Sequence, residues 1–400
     1  MTVKMLDGNA AAVEALVMAK VGVIAAYPIT PQNSISEALS DRVANGELNA
    51  KYVRVESEHT AMSVTMSAQL AGTRSATATS SVGLALMHEV VGSVSGVRMP
   101  VVMPVVNRSL ASPWSLWCDH TDSMAERDTG WMQVYAENVQ EVFDLILYSY
   151  TIGEHPEVMT PTMVCLDGFF LSHSMQRVEI PEQSVVDEYV GKYIPTNLYI
   201  NPEDPMFVND LTPTSDYTEI KYQQVVGLER ALELMPEKMA EFEKTFGRKL
   251  NIIEEYMTED ADVVLVTLGS MTGTAKFVVN KMRAEGKKVG VLKICVYRPF
   301  PSALVKKALE GKDTIGVLDR SAGLGGSAAP VCAEVRSAIM GNADVRGYVG
   351  GLAGRDIPEA SIEKIFNELL AIKDNHDEKH TSWIDLKDNP MEMREVMKLV

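Results

Sequence analysis

Cysteine is scarce in this sequence, and the few cysteines present are too far apart to form a local metal or cluster site. The 400 residues contain Cys118, Cys165, Cys295 and Cys332, and no Cys-x-x-Cys spacing exists from which one segment could build a zinc or iron–sulfur centre. Cys165 and Cys295 lie in strand-like apolar runs and are predicted to be core thiols. If the protein handles electrons, the clusters that carry them belong to another chain.

The sequence also has fewer basic than acidic residues, and it lacks long apolar runs. The 37 basic and 54 acidic residues give a formal net charge of −17, so no basic surplus exists to neutralise the phosphates of a nucleic acid. The apolar run at residues 99–106 falls far short of the roughly 20 residues that a membrane-spanning helix needs. The N-terminal residues show no apolar secretory segment. We therefore expect a cytoplasmic protein that binds neither nucleic acid nor membrane.

Hydrophobic patterning in the first half of the chain alternates between strand-like and helix-like segments. Helical spacing separates the short apolar runs at residues 22–27, 52–55, 75–79, 99–106 and 162–166. Strands that are separated by helices predict a parallel sheet covered on both faces. The predicted fold class is therefore α/β, and a chain of 400 residues is long enough for two domains.

The chain is predicted to divide into two α/β domains joined by a connecting segment. Residues 1–176 form the first domain. Residues 177–258 form a connecting segment and a long helix. Prolines and polar residues interrupt the regular periodicity over 177–218, which predicts an irregular connection. Residues 222–255 are predicted to be a long charged helix. A second α/β unit of ordinary domain size covers residues 259–373, and residues 374–400 form a polar C-terminal tail.

Four segments carry candidate functional residues, each at the point where a predicted parallel strand ends. Open α/β sheets bind their ligands at this edge. In residues 26–33, two prolines would hold Thr30 in a rigid loop just before a helix. The alternative is that Thr30 or Asn33 merely caps that helix.

The second and third segments place charged residues after predicted strands. Glu56 and Glu58 follow the run at 52–55 and stand at the start of a helix, where the helix dipole favours an ionised acid. They are either ordinary first-turn charges, or one of them is a proton relay in a partly dry site. Arg108 follows the run at 99–106, and its guanidinium either grips a carboxylate with two hydrogen bonds or forms a structural salt bridge.

The fourth segment, residues 114–131, mixes three tryptophans with charged residues and has no regular period. Such a loop is typical of a functional lid or an interface. Cys118, Asp119 and His120 are of metal-ligating types, but adjacent residues of an extended loop point apart, and no second cluster of ligands follows. We therefore predict that the chain binds no metal.

Taken in order, these segments resemble the α subunits of the multi-subunit pyruvate:ferredoxin oxidoreductase family. The resemblance covers nearly the whole chain, and it implies a thiamine pyrimidine-binding-like parallel-sheet domain followed by a transketolase C-terminal-like α/β domain. The matching motifs are Tyr-Pro-Ile-Thr-Pro at 27–31, Glu-Ser-Glu-His at 56–59, Ala-Thr-Ser-Ser-Val-Gly-Leu at 78–84 with Met-His-Glu at 87–89, Asn-Arg at 107–108, Trp-Cys-Asp-His-Thr-Asp at 117–122, Arg-Asp-Thr-Gly-Trp at 127–131, and the segments 166–173, 298–301 and 351–357.

The resemblance also implies a cofactor and its contacts. Glu58 matches the glutamate that meets N1′ of the thiamine diphosphate pyrimidine and promotes the tautomer that deprotonates thiazolium C2. Thr30 and Arg108 match residues that position the carboxylate of a 2-oxoacid. Pro28 and Ile29 share the cofactor-binding loop with Thr30. A separate β subunit is implied to hold the diphosphate and Mg²⁺, and iron–sulfur clusters are implied on partner chains only.

The implied reaction is the oxidative decarboxylation of pyruvate with coenzyme A to acetyl-CoA and CO₂, with electrons passed to ferredoxin. The implied partners are β, γ and δ subunits. Thr30 with Arg108 favours pyruvate over oxalate, while branched-chain or aryl 2-oxoacids remain alternatives. A non-catalytic assembly subunit is a further alternative, against which the joint presence of Thr30, Glu58 and Arg108 speaks. Trp114 and Trp117 would either shape the pocket or pack against a neighbouring subunit.

A glycine-rich stretch in the second half suggests a different class of protein, one that binds a dinucleotide. Gly323, Gly325 and Ala328 fit the spacing of a dinucleotide-binding fingerprint. Residues 319–322 separate these glycines from the preceding strand, and the stretch lies in the second predicted domain, whereas a dinucleotide fingerprint begins directly after its strand. We therefore interpret it as a tight loop that packs within the chain or against a neighbouring subunit.

Overall fold

The computed structural model describes residues 1–340, 343–374 and 381–387, which form helices and strands around two mainly parallel sheets. None of the helices in these ranges is both long enough and apolar enough to span a bilayer. In the first part of the chain the elements are β1 (Thr2–Leu6), α1 (Gly8–Met18), β2 (Val23–Ala26), α2 (Asn33–Ala44), β3 (Lys51–Arg54), α3 (Glu58–Leu70), β4 (Ser75–Ala76), α4 (Ser81–Leu86), α5 (His88–Gly96), β5 (Val102–Asn107), α6 (Thr121–Ala125), β6 (Met132–Tyr135), α7 (Val139–Gly153), β7 (Thr162–Asp167), β8 (Gln176–Ile180) and α8 (Gln183–Val190). In the remainder they are α9 (Tyr217–Phe246), β9 (Ile253–Tyr256), β10 (Val263–Leu268), α10 (Met271–Ala284), β11 (Val289–Ile294), β12 (Val296–Arg298), α11 (Ser302–Ala308), β13 (Thr314–Asp319), α12 (Pro330–Ile339), β14 (Asp344–Val349), a 3₁₀ turn (Leu352–Gly354), α13 (Glu359–Asp374) and β15 (Thr381–Trp383).

The first sheet has the strand order β3-β2-β4-β5-β7-β6-β12, in which β4 is joined to β5 through a bridge between Thr79 and Val105. Neighbouring strands are parallel except β12, which is antiparallel to β6. Side chains of β5 alternate between two hydrophobic cores, with Met103 in one and Val102 in the other. A strand buried on both faces needs an apolar sequence throughout. The predicted parallel sheet covered on both faces is confirmed.

The second sheet has the strand order β15-β14-β13-β10-β11-β9, with β9 antiparallel at one edge and the other strands parallel. Its central strand β10 is fully buried. Val264 and Leu265 of β10 belong to the same hydrophobic core as Trp131 and Met163 of the first half. The two sheets are therefore packed around one continuous apolar cluster, which fixes the loops of one relative to the other.

The connection between the sheets is more regular than its composition predicted. The stretch 177–218, predicted to be irregular, contains most of β8, which pairs with β1, and all of α8. The long helix, predicted over 222–255, is α9; it begins at Tyr217 and stops at Gly247, whose φ of 70° lies in the left-handed region that glycine favours. β9 takes the place of the last predicted helical turns.

Two more differences arise from strand pairing over long distances. Residues 296–298 fall in the predicted second domain, but they form β12, which pairs with β6 of the first sheet, whereas the preceding β11 belongs to the second sheet. In the predicted polar tail, residues 374–400, the segment Thr381–Trp383 adds β15 to β14. Residues 375–380 and 388–400 of that tail lie outside the described part of the chain.

Candidate active site at the edge of the first sheet

The carboxyl ends of β2, β3, β4 and β5 lie along one edge of the first sheet, because these strands are parallel. The loops that follow them carry Thr30 after β2, Glu58 after β3 and Arg108 after β5. Pro28 is exposed and Ile29 half-buried in the Thr30 loop. The fold therefore brings the residues singled out from the sequence to the same edge of the sheet. Open α/β sheets bind their ligands at this edge.

Arg108 lies directly beside the Thr30 loop. Its Nη1 donates a hydrogen bond to the Thr30 carbonyl at 3.0 Å, and its Nε donates to the Ser115 carbonyl at 2.9 Å. Only 4% of the residue is exposed, and this burial lowers the pKa of the guanidinium, which stays charged in proteins. Among the described residues no carboxylate forms an ion pair with Arg108. The structural salt bridge is therefore not formed there, although the charge of Asp122 partly offsets the lowering of the pKa of Arg108.

The loop that presents Thr30 is closed by Gln32. The Nε2 of this buried side chain donates to the Tyr27 carbonyl at 3.0 Å, and its Oε1 accepts from Ser36 Oγ at 3.0 Å. Gln32 also occupies the N-cap position of α2, where no side chain makes a capping hydrogen bond. Neither Thr30 nor Asn33 caps the helix, so the capping alternative is wrong.

Glu58 is the buried member of the predicted carboxylate pair. It is the first residue of α3, only 6% exposed, and its Oε1 lies against Gly83, where an added Cβ would be 2.5 Å away. Burial raises the pKa of this carboxyl, and no other side chain in the described ranges donates a hydrogen bond to it. Glu56 is exposed, and a hydrogen bond from Thr60 lowers its pKa. The two acids therefore differ in surroundings, and only Glu58 lies in a partly dry site.

Asp122 ties together the loops that follow β4 and β5, and the sequence analysis did not single it out. Its carboxylate accepts hydrogen bonds from the N–H groups of Ser81 and Arg108, both at 2.9 Å, and from the Asn107 amide at 2.8 Å. Burial raises its pKa to about 6. Ser81 is a non-glycine residue with a φ of 51°, a strained conformation that clusters at functional sites. Backbone donors leave no mark in a sequence, so only the crowded segment 114–131 pointed to this region.

A second buried carboxylate, Asp167, joins the first sheet to the second. It lies 2.7 Å from His120 Nε2 and accepts a hydrogen bond from Arg320 Nη1 at 3.0 Å. Burial raises the pKa of Asp167, but its contacts with these two groups outweigh that effect and hold the pKa well below its usual range. Cys118, His120 and Asp167 are close enough together to hold a metal ion. However, Arg320 Nη1 is 3.9 Å from Cys118 Sγ, so a guanidinium already supplies the positive charge there.

The glycine-rich loop at 323–328 lies between β13 and α12. Asp319, the last residue of β13, accepts hydrogen bonds from the N–H groups of Val331 and Cys332 at 2.9 and 3.0 Å. These amides open α12, and a dinucleotide diphosphate would need free amides at such a helix start. The Asp319 side chain takes that place, which argues against a nucleotide site at this loop.

Exposed apolar side chains, here called the apolar rim, belong to α4 and to the tryptophan-containing loop that follows Arg108. α4 adjoins that loop because Ser81 Oγ donates a hydrogen bond to the Ser109 carbonyl. The apolar rim consists of Val82, Leu86, Trp114 and Trp117. Clustered exposed apolar residues next to a polar site are typical of an interaction surface.

Two packed α/β sheets with a polar strand-end edge define a two-domain protein of transketolase-like fold. The 2-oxoglutarate:ferredoxin oxidoreductase from Magnetococcus marinus, solved with 2-oxoglutarate, coenzyme A and succinyl-CoA bound, superposes with a TM-score of 0.72 at 17% identity, over 92% of this chain and 65% of its own. A split-gene transketolase, solved as an inactive β4 tetramer, has a TM-score of 0.54 at 13% identity over 92% and 100%. At these identities the likeness concerns the fold alone, and it confirms the predicted fold class.

Comparison of sequences identifies the family. Residues 14–240 match the family described as pyruvate flavodoxin/ferredoxin oxidoreductase, thiamine diphosphate-binding, and residues 261–362 match pyruvate:ferredoxin oxidoreductase core domain II. The pyruvate synthase subunit PorA of Methanothermobacter thermautotrophicus is 43% identical over 97% of this chain and 99% of its own, and that of Methanocaldococcus jannaschii 44% over 96% and 98%. The NADH-dependent phenylglyoxylate dehydrogenase subunit alpha of Aromatoleum evansii is 39% identical over 92% and 90%. The chain belongs to the pyruvate:ferredoxin oxidoreductase family, as its motifs predicted.

Proposed function

We propose that this chain is the α subunit of a multi-subunit pyruvate:ferredoxin oxidoreductase, a pyruvate synthase. The reaction is the oxidative decarboxylation of pyruvate with coenzyme A to acetyl-CoA and CO₂, with electrons passed to ferredoxin. The observation that carries the proposal is the buried Glu58 carboxyl, which no other described side chain contacts by a hydrogen bond, at the same sheet edge as Arg108. Relatives that are 43–44% identical and named pyruvate synthase subunits support this choice of reaction.

Glu58 has the properties expected of the acid that faces the pyrimidine of thiamine diphosphate. Burial raises the pKa of its carboxyl, so the side chain holds a proton more tightly than an exposed glutamate and can share it with a ring nitrogen, which we assign as N1′. Gly83 contributes by lacking a Cβ, which would displace the carboxyl oxygen. When bound, thiamine diphosphate supplies the nucleophilic carbon that attacks the 2-oxo group and accepts the electron pair left by CO₂.

Arg108 and Thr30 are proposed to position the carboxylate of the 2-oxoacid. The guanidinium is held by the carbonyls of Thr30 and Ser115, and these neutral acceptors leave its charge for an anion. A charge-assisted hydrogen bond in a desolvated position is stronger than the same bond in water. We assign Pro28 and Ile29, which share the Thr30 loop, to the cofactor side of the site.

Partner chains are proposed to hold the remaining parts of the enzyme. A β subunit would bind the diphosphate and Mg²⁺ and cover the apolar rim, while γ and δ subunits complete the complex and iron–sulfur clusters lie on partner chains. Clusters need accessible thiolates, whereas the thiols of this chain are all buried with their pKa raised by that burial: Cys118, Cys165, Cys295 and Cys332. Unpaired thiols also agree with the reducing cytoplasm as the place of action.

An aryl or branched-chain 2-oxoacid is the alternative substrate. The observation that favours it is the 39% identity to the alpha subunit of a phenylglyoxylate dehydrogenase, which is only slightly below the identity to the pyruvate synthase subunits. The same chemistry on a larger 2-oxoacid would keep the roles of Glu58 and Arg108 and change only the walls of the pocket.

The test is to purify the chain with the subunits that accompany it and to measure coenzyme A-dependent reduction of a redox dye with a panel of 2-oxoacids. We expect turnover with pyruvate to exceed turnover with branched-chain and aryl 2-oxoacids. A preference for phenylglyoxylate would replace pyruvate by the aryl substrate. A chain that purifies without partners and takes up no thiamine diphosphate would overturn the proposal.

A further inference from the structure

The segment that follows Arg108 is held mainly at its two ends. We call residues 109–120 the arginine loop. Its stretch 111–114 is exposed, whereas residues 118–120 are buried. At its start, the Ser109 N–H donates to the Trp117 carbonyl at 3.1 Å, and in its middle Ser115 offers its carbonyl to Arg108 Nε at 2.9 Å. The direction of the guanidinium therefore depends on where this loop lies.

The far end of the arginine loop is held by the second half of the chain. The N–H of Gly354 donates to the Cys118 carbonyl at 2.6 Å, and the N–H of Ala353 donates to Asp119 Oδ2 at 3.2 Å. The His120 N–H in turn donates to the carbonyl of residue 320 at 2.8 Å. Three consecutive loop residues are thus bonded to the strand-end edge of the second sheet.

Gly354 packs against Trp117 with no room for a side chain of its own. Gly354 has a φ of 73°, and a Cβ added to it would lie 2.4 Å from Trp117 Cβ, where an ordinary contact is 3.4–4 Å. The Trp117 Cβ is close to the backbone and cannot move aside by a change of rotamer. With any larger residue at 354 the two segments must therefore separate by about 1 Å, and such a shift of the arginine loop is enough to break the 2.9 Å hydrogen bond of Ser115, two residues away.

We propose that residues 351–355, the glycine turn after β14, are a positioning element for the 2-oxoacid. By fixing Trp117 and residues 118–120, the glycine turn sets the carbonyl of Ser115 and so the orientation of Arg108 toward the substrate carboxylate. This inference rests on the proposed function of Arg108, and it gives a role to the Gly-Leu-Ala-Gly-Arg motif at 351–355, which no step of that function uses. A displacement of about 1 Å in a substrate-holding group is enough to lower kcat/KM strongly.

The test compares Gly354→Ala with Gly311→Ala in the assembled complex. Gly311 has a φ of 74°, and nothing lies within 4 Å of an added Cβ, so both variants carry the same backbone strain and only one pushes on Trp117. We expect Gly354→Ala to raise the KM for pyruvate at least about tenfold above that of Gly311→Ala, the scale of one weakened hydrogen bond to a charged group. The kcat and the Kd for thiamine diphosphate should match the control within about twofold, since the glycine turn acts on binding of the 2-oxoacid.

A rescue variant separates positioning from folding. Adding Trp117→Gly removes the side chain that the new methyl group meets, so the double variant should return to the KM of Trp117→Gly alone, even if Gly354→Ala by itself fails to assemble. Equal KM values for Gly354→Ala and Gly311→Ala, or no rescue, would overturn the inference.

An Arg108→Lys variant tells the two proposals apart. If its KM for pyruvate equals that of the unaltered complex, the assigned role of Arg108 is wrong, and the glycine turn then has no substrate-binding residue to position. If Arg108→Lys raises the KM while Gly354→Ala behaves like its control, the site stands and only the positioning role falls.

Discussion

Two buried acids at the ends of parallel strands, one in each sheet, have opposite surroundings. The Asp319 carboxylate accepts hydrogen bonds from the N–H groups of Val331 and Cys332, which hold it at the start of α12. Glu58 is also buried, 6% exposed against 1% for Asp319, yet in the described ranges no other residue donates a hydrogen bond to its carboxyl, which meets only its own backbone N–H. Burial alone therefore does not indicate a ligand site; a buried acid that no other residue holds does.

The buried arginines of the two regions repeat this contrast. Arg320 pairs with Asp167 at 3.0 Å and lies over the ring of Phe170, 4.6 Å from its centre. In the described ranges the Arg108 guanidinium donates its hydrogen bonds to neutral carbonyls, while the backbone N–H of Arg108 donates to the Asp122 carboxylate. Arg320 is thus paired with a carboxylate at the end of β7, although its Nε has no hydrogen-bond partner among the described residues, whereas neither Glu58 nor the Arg108 guanidinium forms an ion pair there. From this comparison we expect the chemistry at the first sheet and a supporting role for the second.

The largest effect is expected from replacing Glu58, the buried acid, by a side chain that cannot exchange a proton. Glu58→Gln keeps the shape of the side chain but cannot exchange a proton, so turnover of the assembled complex should fall by at least about 100-fold, the lower range for a lost acid–base group. The measurement is coenzyme A-dependent dye reduction, with subunit composition checked by gel filtration.

Glu56→Gln is the matched control, because Glu56 stands two residues earlier and is exposed. It should keep turnover within about twofold of the unaltered complex, as expected for a solvated charge. Equal losses in both variants would contradict the distinction drawn from burial, and an active Glu58→Gln complex would favour the non-catalytic assembly subunit.

A medium effect, on stability rather than turnover, is expected at Asp319, the acid whose carboxylate is held by backbone N–H groups. Burial raises the pKa of Asp319 to about 7, above the 3.8 of an exposed aspartate. The folded chain therefore binds this proton more tightly than the unfolded chain, and folding stability falls as the pH rises from about 4 to about 7. Asparagine does not titrate, so the thermal midpoint of Asp319→Asn should lose less between about pH 5 and about pH 8 than that of the unaltered complex.

Scanning calorimetry of both complexes across this pH range measures the difference between their midpoints. We expect that difference to change by a few degrees, about the shift that one or two kcal/mol produce in a domain of this size. Turnover per assembled complex should stay unchanged. A pH-independent difference, or a specific loss of turnover, would show that the second region is not purely supporting.

Local patterns predicted the parts of the fold that depend on burial. Strands such as Val102–Asn107 and Thr162–Asp167 are apolar because both faces are covered, and this is visible in the sequence. The pairing of β12 with β6 and of β8 with β1 joins residues more than a hundred positions apart, and no local pattern carries that information. The domain limits at 176, 258 and 373 stay predictions.

The parts of the candidate site that consist of side chains could be predicted from the sequence, whereas the parts that depend on backbone groups could not. Spacing placed Glu56 and Glu58 together, but only the packing of Gly83 against one of them separates the pair. Asp122 was missed because its partners include the N–H groups of Ser81 and Arg108, and every residue type except proline offers such a donor.

The smallest effect is expected at Cys118, which lies where the arginine loop of the first half meets Arg320 of the second half. Cys118, His120 and Asp167 have the geometry of a metal site, so the question is whether a zinc ion or Arg320 supplies the positive charge there. Arg320 already places a fixed positive charge against Asp167 and beside the sulfur, and a divalent cation would be repelled by it. Burial also raises the pKa of the Cys118 thiol far above its usual range, whereas zinc binds the thiolate. Cys118→Ala should therefore leave the zinc content of the complex and its turnover unchanged within about twofold, the range of a small core substitution. Loss of one zinc per chain on this substitution would show that a metal ion is bound beside Arg320.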